Sequence, residues 1–181
     1  MQGRSEAVSD WIGIGGGRGT GRSATDPTLI QAGVSTTVGR SGATNHYSWV
    51  ETLPQQATRT PLAVRPGDAM SVSITRAGQD RWSVRLANGT TGRHWTTTVP
   101  YRSSRSSADW ITERPDFGGV SAPLPNRSAT AFRSTTVNGE PTRLTPQQRV
   151  TTTEGRRTTA TPSGVQAGGS GFSVCVYRSS C

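Results

Sequence analysis

Lysine is absent from this chain, and its 20 basic residues are all arginine. Acidic residues number only 11, which leaves a net charge of +9. Histidine and cysteine occur twice each. These scarcities remove several kinds of chemistry. His46 and His94 lie far apart, in segments patterned as strands and without clustered carboxylates, a poor arrangement for zinc. No G-x-S-x-G elbow accompanies them, so a Ser-His-Asp triad has no support. Cys175 and Cys181 have no histidine neighbour, which argues against a thiol nucleophile. Their spacing is open to a small terminal disulfide or to two free thiols. No apolar run approaches the length of a membrane span. The opening Met1-Gln-Gly-Arg-Ser-Glu6 lacks the apolar core of a signal peptide. No long helical periodicity appears anywhere.

What remains is rich in Thr, Ser, Gly and Arg, with five Trp. A length of 181 residues suits one domain, and 30% apolar residues make its core a thin one. The absence of lysine has a bland explanation in GC-rich coding. A strong positive charge invites a nucleic-acid reading. The arginines, however, are spread from Arg4 to Arg178, and only Arg156 and Arg157 are adjacent. No basic helix or aromatic RNA-binding motif organises them. The expectation is a solvated basic surface, with no specific nucleic-acid partner and no membrane contact.

The apolar pattern is short, alternating and bounded by turns, which predicts antiparallel strands. Candidates are Asp10–Ile14, Thr28–Val34, His46–Leu53, Met70–Arg76, Arg81–Ala87, Arg93–Val99, Ala108–Glu113, Ala129–Val137 and Gly171–Tyr177. Asn88-Gly89 and Asn138-Gly139 read as hairpin turns, because Asn-Gly tolerates positive φ. Thr145–Gly171 reads as a long loop or a weakly patterned hairpin. Residues 1–10 read as a tail and 11–181 as one all-β sandwich of two antiparallel sheets. The glycine-rich Gly15–Gly21 lacks the Gly-Lys-Ser/Thr ending of a P-loop and is expected to be a plain loop. The sequons at Asn88 and Asn126 are of a kind common by chance.

The few carboxylates stand out. Glu51 follows Trp49 on one predicted strand, and Glu113 follows Trp110 on another. Alternation puts Trp49 and Glu51 on one face, and Asp109, Ile111 and Glu113 on one face. On Thr28–Val34, Ile30, Ala32 and Val34 form the apolar face, so Gln31 points away from it.

At these residues the sequence resembles the glutamic peptidases, the eqolisins of fungi and their bacterial relatives. The segments run in the family's order. Trp11-Ile-Gly-Ile-Gly-Gly16 resembles Trp-Val-Gly-Ile-Asp-Gly, and Leu29-Ile-Gln-Ala-Gly-Val34 resembles Leu-Ile/Leu-Gln-x-Gly. Tyr47-Ser-Trp-Val-Glu-Thr-Leu-Pro54 is similar to Ala-Trp-Tyr-Glu-Trp-Tyr-Pro, and Val64-Arg-Pro-Gly-Asp68 to Val-Ser-Pro-Gly-Asp. Asn88-Gly-Thr-Thr-Gly92 resembles Asn-x-Thr-Thr-Gly. Ser107-Ala-Asp-Trp-Ile-Thr-Glu-Arg-Pro115 resembles Ser-Ala-Glu-Trp-Ile-Val-Glu-x-Pro. The C-terminal third adds only a loose strand pattern.

The resemblance implies a concanavalin-like sandwich with one sheet curved into a cleft, lacking here the family's N-terminal strand. It implies an acid-acting endopeptidase, outside the cell, monomeric, with a polypeptide substrate and no cofactor or metal. By motif position the catalytic pair falls on Gln31 and Glu113. Trp11, Trp49 and Glu51 match residues that line or support the cleft. The chain departs from the pattern at Gly15, which replaces an Asp. Ser35 and Tyr47 stand where fungal members carry acids, and Asp109 is a shorter acid than the usual Glu. The alternative reading is an inactive sandwich that binds peptide or glycan through Trp11, Trp49 and Trp110.

Overall fold

The computed structural model describes residues 5–17, 27–115 and 122–181. Most of the Gly15–Gly21 loop lies outside them. The strands are β1 (Glu6–Gly15), β2 (Leu29–Val38), β3 (Thr44–Thr52), β4 (Thr58–Arg59), β5 (Met70–Gly78), β6 (Arg81–Asn88), β7 (Arg93–Pro100) and β8 (Ala108–Glu113). They continue with β9 (Thr130–Arg133), β10 (Thr136–Val137), β11 (Glu140–Pro141), β12 (Thr152–Glu154), β13 (Arg157–Pro162) and β14 (Gly171–Val176). Among the described residues the only helices are two short 3-10 turns, Pro146–Gln148 and Ala167–Gly169. No helix among them is long and apolar enough to cross a membrane.

The chain divides into two compact units, Ser9–Ile111 and Met1–Val8 with Thr112–Cys181. A five-stranded sheet has the order β4-β3-β2-β1-β8, with all of it in the first unit except Glu6–Val8 of β1 and Thr112–Glu113 of β8, and a three-stranded sheet of the first unit has the order β5-β6-β7. The pairs β2–β3, β3–β4, β5–β6 and β6–β7 are antiparallel. The period-2 pattern accounts for the core between these sheets. Ile30, Ala32 and Val50 project from the larger sheet against Trp82, Val84 and Leu86 of the smaller one. The outer face of β5-β6-β7 alternates Ser, Thr and Arg, as an antiparallel sheet with one wet side should.

In the second unit, β12-β13-β14-β9 form one sheet and β10-β11 a small ribbon. Val8, Leu124, Ala160, Val174 and Val176 make its core. The rings of Phe132 and Phe172 stack at 5.0 Å. Cys175 and Cys181 form a disulfide, so the first of the two alternatives for these thiols holds.

Several expectations change in detail. Residues 6–10 are not a tail: β1 begins at Glu6, and Ala7, Val8 and Ser9 are buried. The single run Ala129–Val137 breaks into β9 and β10 at Ser134, which takes φ 51°. Asn138 and Gly139 do have positive φ (55° and 85°) and join β10 to β11, as the Asn-Gly signal predicts. Asn88-Gly89 works differently, for neither residue is left-handed and the positive φ falls on Gly92. Asn88 is buried, donating to Ala63 O at 3.2 Å and to Asp68 Oδ2 at 2.6 Å. Its Oδ1 accepts from the Thr90 and Thr91 amides, both at 3.1 Å. The side chain fastens the turn, and a buried amide is closed to glycosylation. Thr145–Gly171 holds both 3-10 turns, β12 and β13, with β12 and β13 paired as a hairpin.

Candidate active site

The register of β2 on β3 builds the site. Gln31 pairs with Glu51, Gly33 with Trp49, and Ser35 with Tyr47. Directly opposed residues of an antiparallel pair share a face, so these side chains lie together, away from the Ile30–Ala32–Val50 core. Trp11 joins them from β1. A Cβ built on Gly33 would stand 2.3 Å from Asp10 O and 2.5 Å from Trp11 Cβ, so β1 comes too close there for a larger residue. The Ser9 and Ser35 hydroxyls share a 2.6 Å hydrogen bond on the same face.

This face is polar yet buried. Gln31 is 6% exposed, Trp11 5% and Trp49 5%. Gln31 Nε2–H donates to Glu51 Oε2. Gln31 Oε1 and Trp49 Nε1 are buried with no hydrogen-bond partner among the described residues. Such groups are uncommon in folded proteins, because a lost partner costs about 1–3 kcal/mol. The Glu51–Gln31 bond fixes the amide plane and leaves the second Nε2–H open. Burial holds the Glu51 carboxyl above its ordinary 4.5; the Gln31 amide and the Ala57 backbone N–H offset that in part.

Two further devices hold the sheet here. The Tyr101 hydroxyl accepts from Leu29 N–H at 2.7 Å and donates to Leu53 C=O at 3.0 Å, bridging the ends of β2 and β3. Both contacts are two residues from the Gln31–Glu51 rung. On β8, Asp109 is pushed up from 3.8 by burial, a rise partly offset by the Ser107 hydroxyl at 3.0 Å. The sequence flagged neither Tyr101 nor Ser107 as functional, since neither alternates visibly with an apolar partner.

Of the predicted residues, Gln31, Trp11, Trp49 and Glu51 share this face. Glu113 is half-buried, closes β8 and belongs to the other unit. Trp110, on β8, is half-buried as well. His46 alternates to the opposite face of β3 and bonds Thr36 Oγ1 through Nδ1 at 2.8 Å. His94 is exposed on β7. Among the described residues no group of His, Cys, Asp and Glu is arranged to hold a metal ion. An open groove of about 630 Å³ beside Leu53, Pro54 and Tyr101 includes none of the predicted residues.

Known structures share this architecture. Aspergilloglutamic peptidase from Aspergillus niger superposes with a TM-score of 0.79 at 20% identity, covering 94% of this chain and 99% of that one. Scytalido-glutamic peptidase with a transition state analog inhibitor gives 0.73 at 20% identity, covering 96% and 85%. SCP-B, a member of the eqolisin family in complex with the tripeptide Ala-Ile-His, gives 0.65 at 19% identity, covering 96% and 84%. The all-β sandwich is therefore the fold of this chain. No curated protein matches it in sequence. A family model described as the Peptidase A4 family matches residues 1–176, nearly the whole length, and by that match the chain belongs to this family, the glutamic peptidases.

Proposed function

We propose that this peptidase is an acid-acting endopeptidase in which Glu113 is the general base and acid and Gln31 the oxyanion donor, with no covalent intermediate. Glu113, ionised, takes a proton from a water molecule as that water attacks the scissile carbonyl. The tetrahedral intermediate places negative charge on the former carbonyl oxygen. Gln31 answers it with an N–H from an amide that is neutral at every pH. Glu113 then returns the proton to the leaving amine. A carboxylate base still works in mildly acid medium, where an imidazole would be protonated.

The observation that carries this reading is the state of Gln31. A glutamine on a strand is ordinarily a solvated residue, yet this one is buried and oriented by Glu51, with one donor left over. Preorganisation of that kind is what makes a donor effective, because no reorientation accompanies the reaction. Glu113 rests on its place in the Ser107–Pro115 motif together with the family match. Trp11 and Trp49 are too buried to offer a ring face to a sugar, which weighs against the glycan-binding alternative.

The test is digestion of an unfolded protein by the purified chain from strongly acid to neutral pH. Cleavage in acid is expected, reduced about 10²–10⁴-fold in Glu113→Ala. Cleavage that persists unchanged in that variant removes Glu113 from the mechanism.

A further inference from the structure

The face that carries Gln31 also carries a cation. Arg59 pairs with Trp49 across β3 and β4, so the two side chains leave the sheet on the same side. Tyr47 lies two residues from Trp49 on that side, and the Arg59 guanidinium sits 3.8 Å from its ring centroid. A guanidinium over a tyrosine face is held by the ring quadrupole without losing its charge. Arg59 is exposed. Among the described residues it makes no ion pair; the pair found there, Arg114–Glu154, is in the other unit. The titratable groups around Arg59 on this face are Tyr47 and Glu51, both on β3. Glu51 is engaged by the Gln31 amide and the Ala57 N–H.

Position matters as much as charge. Arg59 lies two strands from Gln31 and one row along. With about 4.8 Å between strands and about 3.4 Å per residue, the α-carbons are about 12 Å apart. An extended peptide covers that in about three or four residues, and the length of the arginine shortens it. A peptide with its scissile bond at Gln31 therefore reaches Arg59 with a residue near the cut but outside it.

We infer that Arg59, braced on Tyr47, is a specificity-determining residue that selects peptide substrates bearing a Glu or Asp side chain about two to four residues from the cleaved bond. The inference rests on the reading of Gln31 as part of the active site. The selection is electrostatic and exposed, so it weakens with salt. It requires an ionised substrate carboxylate, so it fades as pH falls below about 4.

The experiment uses one cleavable peptide in Glu, Gln and Lys versions at each flanking position, assayed with wild type, Arg59→Gln, Arg59→Glu and Arg59→Lys. At one position the wild type should favour Glu over Lys about 2–5-fold, the size of an exposed ion pair, and the effect should fall on KM. Arg59→Lys should retain the preference, Arg59→Gln should lose it, and Arg59→Glu should reverse it. A Glu-to-Lys ratio that is the same in wild type and Arg59→Glu at every position overturns the inference, while the catalytic reading stands. If the wild type cleaves no version, the catalytic reading fails by itself. Binding of the same fluorescently labelled peptides then decides Arg59. Glu-selective binding that reverses in Arg59→Glu supports it, and binding blind to the substituted charge overturns it.

Discussion

Gln31 and Glu51 divide one task between a neutral amide and a carboxylate. The carboxylate orients the amide, and burial raises the cost of keeping that carboxylate charged. The consequence for stability has a definite sign. With its folded-state pKa above the unfolded value, Glu51 contributes stability that is complete below the unfolded value and is lost as pH rises through the folded one. Wild type should therefore lose stability relative to Glu51→Gln as pH climbs from below 4.5 to neutral. Thermal unfolding of both proteins across that range checks this. A stability difference that ignores pH, or grows the other way, contradicts the raised pKa. Asp109, also raised by burial, should act in the same sense, so the comparison must be made against the variant and not against wild type alone.

At the scale of elements, alternation made most strands legible. Ala108–Glu113 appears with its expected ends, and the strands from Met70 to Pro100 grow by only a residue or two. The candidate residues stand out in the sequence through ordered motifs, and alternation adds only that Gln31 leaves the Ile30–Ala32–Val34 face. On β2 both faces are buried, so Gln31 sits in a run from Ile30 to Gly33 with no exposed member to mark a face. β4 has two residues, too few to show a period, and Arg59 could not be placed from sequence. In the sequence Gly33 stands out only as part of a motif; its physical role is close approach. An added Cβ would stand 2.3 Å from Asp10 O and 2.7 Å from Trp11 Cα, both backbone atoms that cannot swing aside. Gly33→Ala should therefore part β1 from β2 and cost about 1–3 kcal/mol, measured as a lower denaturant midpoint with an unchanged slope. A midpoint equal to wild type would show that the strands can spread freely there.

For the molecule as a whole, the charge of +9 marks a basic surface, and one of its exposed arginines stands on the face of the candidate site. The family match and the fold make the chain a peptidase, while the chemistry depends on whether Gln31 and Glu113 act on one transition state. Groups that act as a unit are not additive when removed. The most direct measurement is kcat for hydrolysis of an unfolded protein in acid by wild type, Gln31→Ala, Glu113→Gln and the double variant. A loss of about 10²–10³ is expected for Gln31→Ala, a loss at least as large for Glu113→Gln, and a double variant no slower than the worse single one. Losses that simply multiply, or either single variant turning over at the wild-type rate, would contradict this expectation.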